Sequence, residues 1–109
     1  MKNFLTKTDF INAFICPTKL NYILHPEAYT DSSEEDDYLQ SLSDGGYQVG
    51  KLAQLNYKEG IEITDNVIDA VAESANLMKK DEVVLFEAAI QYKNFYVRVD
   101  IIRKNKNEY

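Results

Sequence analysis

Two carboxylates carry the most suggestive chemistry in this 109-residue sequence: Glu87 and Asp100, within FEAAIQYKNFYVRVDII, residues 86–102. The stretch reads as two strands, Val83–Tyr92 and Phe95–Arg103, joined by Lys93-Asn94 as a two-residue turn. Asn tolerates the left-handed backbone that such turns require. Counting outward from the turn pairs Tyr92 with Phe95, Ile90 with Val97 and Glu87 with Asp100. Like charges opposite each other in a sheet cost stability, so the pair calls for a cation. Two candidates fit. One is Arg98, two residues from Asp100 on the same face, bridging the acids as a structural ion-pair cluster. The other is a divalent metal. Mg or Mn takes oxygen ligands and keeps several waters, so one or two protein carboxylates suffice.

The elements that must hold the pair follow from the alternation of side chains. Phe86, Ala88, Ile90, Tyr92, Phe95, Val97, Val99 and Ile101 fall on one apolar face, expected to pack against helices. Glu87, Ala89, Gln91, Tyr96, Arg98 and Asp100 fall on the other. A one-residue slip would destroy this segregation.

Upstream, Thr6-Lys7-Thr8-Asp9 resembles a capping box that opens a helix with Phe10, Ile11 and Phe14 on its inner face. Cys16-Pro17 ends that helix and starts another, with Pro17 in the first turn, inner residues Leu20, Ile23 and Leu24, and His25-Pro26 as its stop. A third helix is expected over about 34–57, with Tyr38, Leu39, Leu42, Val49, Leu52, Ala53 and Leu55 inward and a bend or break at Gly45-Gly46. Ile61-Glu62-Ile63 reads as a short strand. Thr64 or Asp65 then caps a fourth helix reaching about Lys80, with Val67, Ile68, Val71, Ala72, Ala75 and Met78 inward. The acidic run Thr30–Asp37 reads as a solvated loop. These elements predict an α+β fold in one domain over 1–109: helices at the N-terminus, then a helix and an antiparallel hairpin.

Composition narrows the function. A net charge of -6 argues against a protein coated in basic residues for indiscriminate nucleic-acid binding, while leaving room for a local site. The single cysteine, Cys16, cannot form an internal disulfide, and a cytoplasmic location is the default expectation. No run approaches the roughly 20 apolar residues of a membrane span, and no signal peptide is read at the N-terminus. His25 reads as a helix-terminating residue rather than a ligand.

Several segments together resemble a known family. LTKTDFINAFICPTKLNYIL, residues 5–24, is similar to the N-terminal signature of RecB-like nucleases, near the CRISPR-associated RecB-like exonucleases. Gly46-Tyr-Gln-Val-Gly50-Lys-Leu-Ala53, Gly60-Ile61 and FEAAIQYKNFYVRVDII follow in the family's order. The resemblance implies the PD-(D/E)XK superfamily, with a restriction-endonuclease-like α/β/α core and metal-dependent hydrolysis of a phosphodiester. It implies that Asp100 is the core metal-binding and catalytic acid, and that Glu87 is its supporting or ligand acid on the preceding strand. Mg or Mn is the implied cofactor and nucleic acid, DNA ahead of RNA, the implied partner. Arg98, Lys19 and Arg103, with Lys7, are the expected nucleic-acid contacts.

The match departs from the family pattern in three ways. The Glu-x-Lys motif of a third strand is missing: Lys104–Asn107 is a turn-like polar run and Glu108-Tyr109 reads as the start of a strand. The expectation is therefore an N-terminal portion of a larger nuclease domain, inactive alone. The metal-binding His that many relatives carry is replaced by Val49-Gly50. Cys16 matches the first ligand of an iron–sulfur cluster found in some relatives, but one thiolate cannot hold a cluster that needs about four. The rival reading is a non-catalytic protein-interaction module with a structural Glu87/Arg98/Asp100 cluster. An open strand edge adds the expectation of a homodimer through strand pairing.

Overall fold

Four helices and four strands form among the described residues, and the fold is α+β. A computed structural model describes residues 4–30 and 37–109, so most of the acidic run lies outside the described residues. The elements are β1 (Leu5–Thr6), α1 (Lys7–Ile15), α2 (Pro17–Leu24), α3 (Asp37–Gln54), β2 (Ile61–Glu62), α4 (Val67–Leu77), β3 (Glu82–Tyr92) and β4 (Phe95–Asn105). The strands form one mixed sheet in the order β1-β4-β3-β2. The β3–β4 hairpin turns at Lys93-Asn94 as expected, but Lys93 rather than Asn94 takes the left-handed φ, at 54°.

The chain divides into two compact units, Met1–Glu34 with Gln91–Val97, and Glu35–Ile90 with Arg98–Tyr109. In the first, the capping box is complete. Thr6 Oγ1 accepts from Asp9 N at 3.2 Å, and Asp9 Oδ2 accepts from Thr6 N at 2.8 Å. Both partners lie within one turn, which is why four residues suffice to specify it. The unexpected strand β1 pairs in parallel with the hairpin tip, Leu5 with Phe95 and Thr6 with Tyr96. Phe4 packs on Tyr96 with ring centroids 5.0 Å apart. α2 starts at Pro17 and is capped at its end by His25, whose Nδ1 lies 2.9 Å from Asn21 O.

The second unit holds the larger core. Val83, Val84, Leu85 and Phe86 are buried in succession, as befits a strand with neighbours along both edges and cover on both faces. Ile63, Ala70, Ala88 and Ala89 complete this core. β2 pairs in parallel with β3, Ile61 with Leu85 and Glu62 with Phe86. α4 is capped by Asn66, not by Thr64 or Asp65: Asn66 Oδ1 accepts from Ile68 N and Asp69 N. Its buried residues are Ala70 and Ser74, one turn apart, whereas Ile68 is 82% exposed. The inner stripe is thus rotated relative to the expected one.

Two further expectations differ. α3 runs unbroken through Gly45-Gly46, and its apolar residues Tyr38, Leu39, Leu42, Val49 and Leu52 are exposed, as is Leu55 just after it. The expected apolar face of the hairpin is buried only at Phe86 and Ala88. Toward the tip Ile90, Tyr92, Phe95 and Val97 are exposed, while Ala89 and Tyr96 of the opposite face are buried. The cause is a break in the strand alternation at Glu87, described next.

Candidate functional site

Glu87 and Asp100 line one cavity of about 430 Å3 in the second unit. Glu62 from β2, Asp65 from the following loop, and Tyr47, Lys51 and Gln54 from α3 complete its polar wall. Three neighbouring strands therefore each contribute an acid: Asp100 from β4, Glu87 from β3 and Glu62 from β2. Among the described residues, no three His, Cys, Asp or Glu side chains are grouped so as to hold one metal ion.

Simple alternation does not explain how Glu87 reaches this cavity. Partners in a parallel ladder point to the same face, so Glu62 and Phe86 share one side of the sheet. The next residue of a regular strand points the other way. Glu87 instead takes φ 58°, the left-handed conformation of a bulge residue. That kink turns its side chain into the cavity that Glu62 also lines. It also shifts the alternation downstream, so Ala88 and Ala89 are buried side by side. The one-to-one count from the turn does not run through such a residue. The two acids come together through the cavity rather than through strict register.

α3 supplies the opposite wall. Gly46, Gly50 and Gln54 recur at four-residue spacing, which places them on one helix face toward the acids. A Cβ at Gly46 or Gly50 would meet nothing within 4 Å, so these glycines mark an open wall rather than a tight approach. Lys51 Nζ donates to Glu62 Oε1 at 2.7 Å and to Gln54 Oε1 at 3.4 Å. It also lies 5.7 Å from the Tyr47 ring centroid. The hydrogen bond to Glu62 raises the Lys51 pKa above its usual 10.5, with the negative charges of Glu62 and Glu87 adding to it against some desolvation. Lys51 is thus a built-in cation among the carboxylates.

Arg98 reaches a different part of the rim, donating from Nη1 to Thr64 O at 3.0 Å, with Nη2 4.0 Å from Asp65 Oδ1. It ties β4 to the loop that carries Asp65. Arg103 lines a separate cavity of about 320 Å3 with Lys80 and Lys104. Lys7 and Lys19 are exposed on α1 and α2 of the first unit. Cys16 is exposed at the α1–α2 junction with a free thiol, and a lone thiolate does not fit an iron–sulfur cluster.

The sequence reading missed Glu62, Asp65 and Lys51. The alternation Ile61-Glu62-Ile63 marked Glu62 as the outward residue of its strand, and the Gly46/Gly50 spacing marked the helix face. Their meeting depended on a parallel pairing far apart in sequence. Comparison with family models, characterised proteins and solved structures finds no match to the chain.

Proposed function

We propose that this chain carries the carboxylate portion of a metal-dependent phosphodiester hydrolase of the RecB-like PD-(D/E)XK type, acting on nucleic acid with DNA favoured over RNA. The observation that supports this most is that Glu87 and Asp100, on the adjacent strands of a hairpin, line the same cavity. The two acids offer only oxygen donors, which suits Mg or Mn. Asp100 and Glu87 would hold the ion, which when bound would lower the pKa of a coordinated water and offset charge on the phosphate. Lys51, anchored by Glu62, holds a positive charge beside these acids and limits their mutual repulsion.

The test is thermal unfolding of the chain with and without Mn2+. A ligand at one hundred times its Kd stabilises the folded state by about 2.7 kcal/mol. The expected result is a rise in Tm that Asp100→Ala abolishes. No rise for the unaltered chain would sink the metal reading.

One observation favours the second reading, a non-catalytic interaction module. Leu39, Leu42, Val49 and Leu52 of α3, with Leu55 just after it, are all exposed, more apolar surface than a single helix of a monomer usually shows. This reading predicts self-association at micromolar concentration, with strand pairing along β4 as one route, and no response to Mn2+. Light scattering coupled to size exclusion distinguishes it.

A further inference from the structure

Ser74 is the most completely buried polar side chain among the described residues, with no exposed surface, in the middle of α4. Its Oγ accepts the Ala89 N–H at 2.8 Å. Ala89 lies two residues beyond Glu87, in the segment where the left-handed kink has broken the alternation of β3. Ladder pairing with β2 ends just before this point: Glu62 pairs with Phe86, and Ile63 N donates to Phe86 O at 3.0 Å. The kinked segment is therefore fixed from two sides. β2 holds the residue before Glu87 and the α4 hydroxyl holds the amide after it.

We infer that Ser74 is a positioning residue for Glu87: its hydroxyl satisfies the Ala89 N–H in the kinked strand and so keeps the Glu87 carboxylate turned into the acidic cavity. Two physical arguments carry this. A Glu at φ 58° is disfavoured for an L-residue, so something outside the residue must hold it there. A buried amide without a partner is costly, so the strand keeps the conformation in which Ser74 reaches it. Without the hydroxyl, the favourable course for residues 87–89 is to straighten, which turns Glu87 to the other face of the sheet. Ser74 touches neither the cavity nor Asp100, so its effect passes through backbone geometry. The inference rests on the proposed metal reading only for what the carboxylate is used for, not for how it is held.

The test uses the 109-residue chain, with Mn2+ as the probe and two readouts. The first is Mn2+ affinity by electron paramagnetic resonance. The second is the three-bond HN–Hα coupling of Glu87 by NMR, which is large for extended backbone and smaller for the left-handed conformation. Ser74→Ala is expected to weaken Mn2+ binding at least tenfold, the lower end for removing a group that orients a metal ligand. It should also move the Glu87 coupling to the extended value. Ser74→Thr keeps the hydroxyl and should retain both properties. If Ser74→Ala does not fold, Ser74→Cys, of similar size but a poor acceptor, takes its place with the same two expectations. Unchanged coupling and unchanged affinity in the folded variant would overturn the positioning role while leaving the metal reading intact. A coupling change in a chain that binds no Mn2+ even unaltered would support the positioning role and defeat the metal reading instead.

Discussion

Gly60 sits in the turn before β2, where its N–H donates to Tyr57 O at 2.9 Å. It takes no left-handed backbone angle, so its glycine identity is a matter of space. A Cβ built there would fall 2.7 Å from Phe86 Cε1 and closer still to Cζ and Cε2 of the same ring. Phe86 is only 7% exposed and is bound into the ladder next to Glu62, so the ring cannot step aside freely. Gly60→Ala then has two outcomes. Either the core strains to accept the methyl, at about 1–3 kcal/mol for overpacking, or the ring is expelled and loses about 1.5–3 kcal/mol of burial. Both routes give a destabilisation of about 2 kcal/mol. In a domain of this size that lowers Tm by roughly 10 °C. Far-UV circular dichroism melting measures it.

The cause is isolated by a second substitution. Phe86→Leu shortens the side chain that collides and by itself costs about 1–2 kcal/mol. The Gly60→Ala/Phe86→Leu double variant is expected to melt close to Phe86→Leu alone, because the clash has been removed. Residues in contact are expected to be non-additive in this way. A Gly60→Ala chain melting within about 2 °C of the unaltered one, or strictly additive costs in the double variant, would refute the steric account.

Glu87→Gly relieves a left-handed residue that costs about 1–2 kcal/mol, against roughly 0.5–1 kcal/mol of added chain entropy in the unfolded state. Tm should rise by a few degrees while the Mn2+ response disappears, and a fall in Tm would show that φ 58° is not strained here. Lys51 should titrate above 10.5 by NMR of its side-chain nitrogen, and Glu62→Gln should bring it back toward that value. Because the folded-state pKa is raised, the Lys51–Glu62 contribution to stability is fully present below 10.5 and is lost as pH rises through the folded-state pKa. A pH series of melting curves should show that alkaline loss shrinking in Glu62→Gln.

What could be read from the sequence follows the range of the interactions involved. The capping box of α1, the Pro17 start of α2, the His25 stop and the Lys93-Asn94 turn are each set by residues within one turn of helix or hairpin. Their chemistry is complete in a short window, and the structure has each of them. β1 is two residues long and exists only because Asn94, Phe95 and Tyr96 come to lie beside it. No local pattern announces a strand of that length. Ser74 was passed over for a related reason. A polar residue within an apolar stripe reads as solvent-facing until the strand that uses its hydroxyl is known.

The same distinction runs through the candidate site. Asp100 and Glu87 were legible because they interrupt an otherwise β-forming run, and an acid there is conspicuous by composition alone. The conformation of Glu87 was not legible, since Glu has no preference for the left-handed region and a glycine would be the local choice. Local propensity and the three-dimensional requirement therefore disagree at this residue of the site. Such disagreements gather at functional positions, because the surrounding fold must supply the energy to sustain them. Here the surroundings can be named. They are the Glu62–Phe86 pairing on one side of the kink and the Ser74 hydroxyl on the other. If Glu87 served only as a surface residue of β3, an ordinary extended backbone would serve it better, and neither the kink nor a buried serine opposite Ala89 would be needed.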